Sequence, residues 1–438
     1  MLHALIAQNI DAIGRAHAFA KNVLCLVRFE AATEQKKYQN ETGFTHYNLP
    51  MFLRFIFLVL LSSSVLASSH SFEDFLNNLH QLATEQGVSK ATVDRAFYQL
   101  TPNLDILESD RSQAEFSQNF WNYLGKRVSQ YRLDNGYDTL KQNRSLLNKT
   151  YQQYGVPAHV LVSFLGLESN YGNNTGSYSL VRSLATLAYD PRRSVFFTSE
   201  LIALLKLIDD GKVPLEATGS WAGAMGAVQF MPSNVIAYGV DADNDGKIDL
   251  WNNQADILAS AANFLEHLGW NRGEKWGREV TISEDFNYEF VGLKTKKQLD
   301  EWQTLGIRSA NRSNLPESSM AASLILPMGY KGPAFLVYQN FRSILGWNHS
   351  TLYALAVGHL ADRLSGGGSL LATPIDEPLL KRDDVMAIQQ TLSLLGYDAG
   401  EADGIAGPKT RAAAKDFQKD IGMVADGYVG YELFQRLQ

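Results

Sequence analysis

Apolar side chains recur every three or four residues along most of this chain, which predicts a mainly α-helical protein. The pattern runs from Ser71 to about Gly136 and resumes over residues 151–208 as several short helices separated by Gly, Asn and Pro. It returns over residues 335–364. Residues 279–329 look less helical and include a predicted short strand at Glu279–Ile282. The regularly spaced apolar residues of the first stretch are Phe72, Phe75, Leu76, Leu79 and Leu82, followed by Phe116, Phe120, Tyr123, Leu124 and Val128.

A composition change near residue 365 predicts a domain boundary. A Gly/Ser run flanked by prolines is typical of a flexible linker, and we assign it to residues 365–378. Residues 68–364 then form the main region, and residues 379–438 form a small module of about three helices. Two D-G-x-x-G turns in this module, Asp403–Gly407 and Asp426–Gly430, indicate an internal repeat.

The N-terminal part contains a second candidate start at Met51. Residues 51–67 combine a basic residue, an apolar run and small residues, which predicts a secretory signal peptide cleaved after Ala67. Residues 1–50 are then a mis-called extension. Because the chain's single cysteine, Cys25, precedes this segment, we expect neither disulfides nor a lipid-attachment site. These features predict an exported protein of a bacterial periplasm without a stable membrane anchor.

Composition narrows the function classes further. The net charge is −7 without long runs of one sign, and there is no basic clustering of the kind that nucleic-acid binding requires. The 19 Tyr and 7 Trp suit stacking against sugars, although they suit an ordinary core equally well. We expect a monomer that does not bind nucleic acid.

One carboxylate stands out as a catalytic candidate. Glu168 lies in Gly166–Gly172, directly after the apolar run Val160–Leu165. Partial desolvation there would raise the pKa of the carboxyl group, and a protonated carboxyl can serve as a general acid. The alternative is a glutamate that ends a helix and faces water, and the surrounding residues alone leave the two open.

An aspartate-rich loop predicts a structural calcium site. The loop resembles an EF-hand, with oxygen ligands at alternating positions and Gly246 at the sharp turn. The twelfth position departs from the pattern because it holds Asn252, and Asp256 is the candidate replacement. The alternative is a solvated Asp-rich turn. The candidate ligands are Asp241, Asp243, Asp245, Lys247, Asp249 and Asp256.

Several segments, taken in order, resemble the family B lytic murein transglycosylases of the soluble type. The resemblance covers Phe72 to about Leu364 and implies a lysozyme-like catalytic region with a helical N-terminal part and the EF-hand-like loop. The C-terminal module resembles a peptidoglycan-binding domain. The segments that carry both resemblances are Gly166–Gly172, Tyr189–Arg193, Gly219–Gly226, Gln229–Ser233, Asp241–Trp251, Asn348–Ala356, Leu395–Tyr397 and Ala414–Gln418.

This resemblance implies that Glu168 is the single acid/base that cleaves the β-1,4 bond between N-acetylmuramic acid and N-acetylglucosamine. The muramic C6 hydroxyl then attacks C1 in place of water and leaves a 1,6-anhydro product, without a cofactor. Where some members carry Tyr, this chain carries Trp347, which should preserve stacking. The substrate-binding positions implied by the resemblance are Ser220 and Gln229 in the cleft, Asn348 and Tyr353 near the sugar, Arg192 and Arg193 for a carboxylate, and Tyr123 as a cleft aromatic.

Four alternatives remain open from the sequence. Arg192 and Arg193 would otherwise form a solvated helix face, and Tyr123 would otherwise be core packing. A hydrolytic muramidase of the same fold would need a second carboxylate, for which Asp190 and Glu200 are candidates. A non-catalytic wall-binding protein would rely on the C-terminal module alone. The expected partners are glycan strands of peptidoglycan and other cell-wall enzymes.

Overall fold

The computed structural model describes residues 71–111 and 119–438. The predicted extension over residues 1–50, the signal peptide over 51–67 and the predicted helical position Phe116 lie outside the described residues. The chain divides into two compact units, Met1–Asp74 and Phe75–Gln438, and the first is described only from Ser71 onward. None of the described helices combines the length and apolar character that a bilayer span requires.

Helices dominate the described residues, which confirms the prediction of a mainly α protein. The helices of the main region are α1 (Phe72–Glu85), α2 (Lys90–Phe97), α3 (Leu104–Arg111), α4 (Phe120–Arg127), α5 (Gln130–Gln142), α6 (Arg144–Tyr154), α7 (Ala158–Ser169), α8 (Leu180–Tyr189), α9 (Ser194–Asp209), α10 (Pro232–Tyr238), α11 (Gln254–His267), α12 (Leu299–Thr304), α13 (Gln339–Trp347) and α14 (Thr351–Leu364). The C-terminal module contains α15 (Arg382–Leu394), α16 (Pro408–Asp420) and α17 (Tyr431–Arg436).

Helix α7 lies at the centre of the helical region. It begins after Pro157, which favours a helix start, and nine of its twelve residues are buried. A helix that is apolar on all sides is a core helix, and α7 packs against α5, α6, α11 and α14. It ends where Asn170 adopts a left-handed conformation (φ 51°).

A five-stranded antiparallel sheet lies between α11 and α13 in the sequence. Its strands are β3 (Gly277–Thr281), β4 (Lys297–Gln298), β5 (Arg308–Ser309), β6 (Ala321–Ile325) and β7 (Ala334–Val337), in the order β4-β6-β7-β3-β5. Leu336 of β7 pairs with Leu324 of β6 on one side and Arg278 of β3 on the other. A separate two-stranded sheet joins β1 (Tyr178–Ser179) to β2 (Thr218–Gly219).

The sequence pattern identified only part of this sheet. The predicted strand at Glu279–Ile282 corresponds to β3, but the helix predicted over residues 335–364 begins four residues later, at Gln339. Residues 335–337 belong to β7, which is buried along its whole length. A strand that is buried on both faces does not alternate between polar and apolar residues. The sequence pattern therefore predicts that the apolar residues 335–337 belong to the helix that follows them.

The C-terminal module has three helices around a small core that includes Ile388, Leu392, Phe417 and Leu433. The two D-G-x-x-G turns repeat one hydrogen-bond arrangement. In each, a buried glutamine side chain accepts a bond from the glycine N–H and donates one to the aspartate. The pairs are Gln389 with Asp403–Gly404 and Gln418 with Asp426–Gly427.

The module also contacts the sheet region directly. Lys331 pairs with Glu432 at 2.8 Å, and Lys419 pairs with Glu289 at 2.9 Å. The backbone N–H of Tyr330 donates to Asp426 at 2.8 Å. The module is therefore joined to the main region by these contacts as well as by the Gly/Ser/Pro segment.

Candidate active site

Glu168 lies near the C-terminal end of α7, and the turn that follows fixes its direction. Asn170, Tyr171 and Gly172 are three consecutive residues with positive φ, a conformation that costs energy for residues other than glycine. The turn is held by Ser169, whose hydroxyl accepts a bond from Gly172 N–H and donates to Ala227 O at 2.6 Å. Backbone strain of this kind is typical of functional sites.

The Glu168 carboxyl group is partly buried, and its oxygen Oε1 accepts hydrogen bonds from two of the described side chains. Trp347 donates through its indole N–H to Oε1 at 2.9 Å, and the Tyr353 hydroxyl donates to Oε1 as well. Burial, together with the negative charge of Glu168, raises the pKa of Tyr353 well above its ordinary value. The phenol therefore stays protonated and remains a donor.

Trp347 is held in a cluster of aromatic rings. Its ring centroid lies 4.5 Å from that of Phe164, 5.1 Å from Phe264 and 5.3 Å from Phe230. Phe164 also packs against Tyr353 at 6.3 Å, so one α7 ring contacts both residues that donate to Glu168. This packing restricts the orientation of both donors.

Tyr123 and Arg127 on α4 border the same group. Tyr123 is buried, and the Arg127 guanidinium lies 5.3 Å from the centre of its ring. Both residues interact electrostatically with Tyr353. The structure therefore brings Tyr123, Tyr353 and Glu168 together and places beside them a cation that the sequence analysis did not identify.

The other three cleft positions lie on loops. Ser220 accepts a bond from Ala224 N–H at 2.9 Å. Gln229 has positive φ (49°) and donates to the carbonyls of Thr175 and Gly226. Asn348 accepts from Ser350 N–H at the start of α14. Each of these side chains supports the local backbone.

The structure places Arg192 and Arg193 against Asp110 of α3. Both guanidiniums pair with this buried carboxylate, and Arg193 also lies 4.7 Å above the ring of Phe197. Each arginine side chain remains about half exposed. They therefore join α3 to the start of α9, an arrangement that the sequence did not indicate.

The two candidate second carboxylates are engaged in local structure. Glu200 is 4% exposed, and its two oxygens accept bonds from the backbone N–H and the hydroxyl of Ser233, at 2.9 and 2.7 Å. It therefore caps the start of α10. Asp190 accepts a bond from Arg192 N–H at the end of α8.

Three carboxylates of the aspartate-rich loop converge. Oxygens of Asp241, Asp243 and Asp256 lie within 4.8 Å of one another. Asp256 is fully buried, and burial followed by the charges of the other two raises its pKa. A divalent cation would compensate such a cluster, so these residues fit hard-cation binding. The side chains of Asp245 and Asp249 instead accept bonds from the backbone of the loop and of the turn that follows.

The hydrogen bond from Trp347 to Glu168 is a contact that the sequence analysis did not predict. The position of Trp347 before Asn348 was interpreted as a stacking aromatic. Its N–H bond to a residue 179 positions earlier has no local signature and depends on how α13 packs beside α7.

The comparison with protein families identifies both parts of the chain. The transglycosylase SLT domain matches residues 71–362, and the putative peptidoglycan binding domain matches residues 381–437. The protein belongs to the SLT transglycosylase family. This confirms the family predicted from the sequence: a lysozyme-like transglycosylase domain followed by a peptidoglycan-binding domain.

Three relatives illustrate the range of this SLT transglycosylase family. Membrane-bound lytic murein transglycosylase B of Escherichia coli K12 is 33% identical over 247 residues, which are 56% of this chain and 66% of the relative. SltB3 from Pseudomonas aeruginosa, in complex with NAG-anhNAM-pentapeptide, is 42% identical with a TM-score of 0.81, covering 84% of this chain and 99% of that one. Escherichia coli Slt35 in complex with calcium is 29% identical with a TM-score of 0.58, covering 66% and 92%.

Proposed function

We propose that this protein is a lytic transglycosylase that cleaves the β-1,4 bond between N-acetylmuramic acid and N-acetylglucosamine in peptidoglycan. The observation that carries this proposal is the Glu168 carboxyl group, held by Tyr353 and Trp347 at the end of α7 in a chain of this family. The relative SltB3 has been solved with an anhydromuramoyl fragment, which is the type of product this reaction gives.

In the proposed reaction, protonated Glu168 donates its proton to the glycosidic oxygen as the bond from C1 to that oxygen breaks. The N-acetyl group of the substrate stabilises the positive charge at C1. Glu168, now ionised, is stabilised by its two donors. It then takes the proton from the muramic C6 hydroxyl, whose oxygen bonds to C1 and closes the 1,6-anhydro ring. Glu168 regains its proton, and no water is consumed.

The environment of Glu200 favours this reaction over hydrolysis. A hydrolase that uses two carboxylates needs a second one to activate water or trap C1. Glu200 is buried beneath α10 with both oxygens bound by Ser233, so using it would uncap that helix. A single carboxylate suffices when the substrate supplies its own nucleophile.

Mass spectrometry of digested peptidoglycan tests the proposal. We expect anhydromuropeptides from the wild-type protein and no turnover from Glu168→Gln. Ser199→Ala, an exposed change on α9, serves as the matched control and should digest normally. Reducing ends would identify a hydrolase. An active Glu168→Gln protein would exclude Glu168 as the acid, and loss of sacculus binding in that variant would point to misfolding.

The remaining cleft residues take supporting roles in this proposal. Tyr123 and Tyr353 line the sugar site beside Glu168, while Ser220, Gln229 and Asn348 shape the loops around it. Arg192 and Arg193 stay candidates for binding a substrate carboxylate with the half of each side chain that is exposed. The chemistry needs no cofactor.

We further propose that Asp241, Asp243 and Asp256 bind a structural calcium ion that joins the loop to α11. The raised pKa of Asp256 and the calcium complex of Slt35 support this site. Calcium should raise the melting temperature of the wild-type protein, because a ligand that binds only the folded state stabilises it. Asp243→Asn should abolish that shift, and the exposed change Asp210→Asn should keep it. An unchanged shift in Asp243→Asn would place the ion elsewhere.

The apolar segment over residues 51–67 and the peptidoglycan-binding domain support export to the periplasm. In this proposal residues 68–364 form the catalytic region, 365–378 the linker and 379–438 the wall-binding module, and the protein acts as a monomer on glycan strands beside other cell-wall enzymes. N-terminal sequencing of the exported protein tests the first boundary, because a mature chain that retains residues before Met51 would contradict it.

A further inference from the structure

The two donors of Glu168 converge on one oxygen, although they come from different helices. Trp347 ends α13, and Tyr353 lies in the first turn of α14. Both side chains reach Oε1. These two bonds distinguish Oε1 from the second carboxyl oxygen, Oε2.

An indole N–H can donate a hydrogen bond but cannot accept one. Oε1 must therefore present a lone pair to Trp347 whether Glu168 is ionised or protonated. The Tyr353 hydroxyl, protonated throughout the working range, uses the second lone pair. A proton on Oε1 would displace one of these bonds.

We infer that Trp347 is a positioning residue that keeps Oε1 as an acceptor, so that Glu168 donates and recovers its proton through Oε2. The inference rests on the proposed acid/base role of Glu168 and assigns that role to one of its two oxygens. Trp347 acts through Glu168 and need not touch the substrate. A tyrosine at this position could both donate and accept, whereas tryptophan fixes the direction of the bond.

The packing around Trp347 restricts the direction of its indole N–H. Rings from α7, α11 and the loop before α10 surround the indole, so the N–H cannot turn away without disturbing the core. Among the described residues, Tyr353 faces this site, with Tyr123 and Arg127 beside it.

Trp347→Phe tests the inference because it removes the N–H and keeps an aromatic ring. Trp270→Phe is the matched control, since the Trp270 indole is buried and its N–H has no hydrogen-bond partner among the described residues. We expect Trp347→Phe to lower kcat at least tenfold with KM within about twofold of wild type. The limb of the pH profile where activity falls with rising pH should move up by about one unit, because the ionised carboxylate loses a donor.

Trp270→Phe should match the wild-type pH profile. A Trp347→Phe protein with wild-type kcat and pH profile would overturn the inference. So would a shift of the same size in Trp270→Phe, because the effect would then be one of packing.

An unfolding measurement provides a readout that does not depend on turnover. In a double-mutant cycle at pH 8, Trp347→Phe with Glu168→Ala should destabilise the protein by less than the sum of the single changes, because the second change removes a bond already lost. The cycle of Trp270→Phe with Glu168→Ala should be additive. Additive behaviour of both pairs would overturn the inference. An active Glu168→Gln protein would instead overturn the proposed function, while the cycle would still report on the hydrogen bond.

Discussion

Helix α14 carries two buried groups whose effects on stability should oppose each other. Burial raises the pKa of Asp362 from 3.8 to about 6. Burial also lowers the pKa of His359 from 6.5 to about 4, with a further contribution from the charge of Arg363. Both groups lie on the helix that supplies Tyr353.

The signs follow from proton binding. Between pH 4 and 6 folded Asp362 keeps a proton that the unfolded chain has lost, so stability falls as pH rises. Over pH 4 to 6.5 unfolded His359 holds a proton that the folded state excludes, so stability rises with pH. At about 1.4 kcal/mol per pKa unit, the shifts correspond to at most about 3 kcal/mol each, and the two should nearly cancel in the wild-type protein.

Asp362→Asn should expose the histidine contribution. The asparagine can still accept the bond that Trp276 N–H gives to Asp362 at 3.0 Å. Relative to wild type, the unfolding free energy of this variant should rise by up to about 3 kcal/mol between pH 4 and pH 7. His359→Asn should give the opposite trend over the same range. Urea titrations at both pH values measure these differences, and other carboxylates cancel because variant and wild type share them.

A difference in unfolding free energy between variant and wild type that does not change with pH would refute the reasoning. If the unfolding free energy of Asp362→Asn differs from that of wild type by the same amount at pH 4 and pH 7, Asp362 is not protonated in the folded state. A trend of the same sign in both variants would show that the helix, rather than the two titrating groups, controls the response.

Three further predictions concern single contacts. Tyr353→Phe should lower kcat about tenfold to a hundredfold, because it removes the hydroxyl that donates to Glu168. The rate of product formation measures kcat, and circular dichroism checks that the fold is retained. An unchanged kcat would argue against the contact with Glu168. Gly358→Ala should destabilise the protein by about 1–3 kcal/mol or more, because its methyl group would lie 2.3 Å from the Trp276 ring, and an unchanged urea midpoint would contradict that close packing. Glu200→Ala should cost about 1–3 kcal/mol, since it leaves the backbone N–H and hydroxyl of Ser233 without their acceptor, and thermal unfolding should detect the loss; an unaltered melting temperature would count against the cap.

The sheet shows where sequence patterns lose their predictive value. Helical periodicity identified α1 and α14 because each of these helices has a local apolar repeat. β6 and β7 could not be identified in this way, since all their residues except Ala321 are buried and they pair across about a dozen residues of chain. Strand pairing depends on partners that are distant in the sequence, so a local window does not contain the signal.

The charged residues of the site show the same limit. The sequence did not indicate that Arg192 and Arg193 both pair with Asp110, which lies more than eighty positions earlier. It treated Glu200 as a candidate second carboxylate, whereas the structure uses it to cap α10. A charged side chain gives no indication of its partner until the fold brings the two together.

The sequence alone determined the helical class, the family and the identity of the candidate acid, because these depend on local spacing and on contiguous motifs such as Gly166–Gly172. Only the tertiary structure decided what surrounds that acid. α13 and α14 bring Trp347 and Tyr353 to the same oxygen of Glu168 across 179 and 185 residues. The physical reason is that a hydrogen bond depends on the distance and angle between donor and acceptor, and folding sets both.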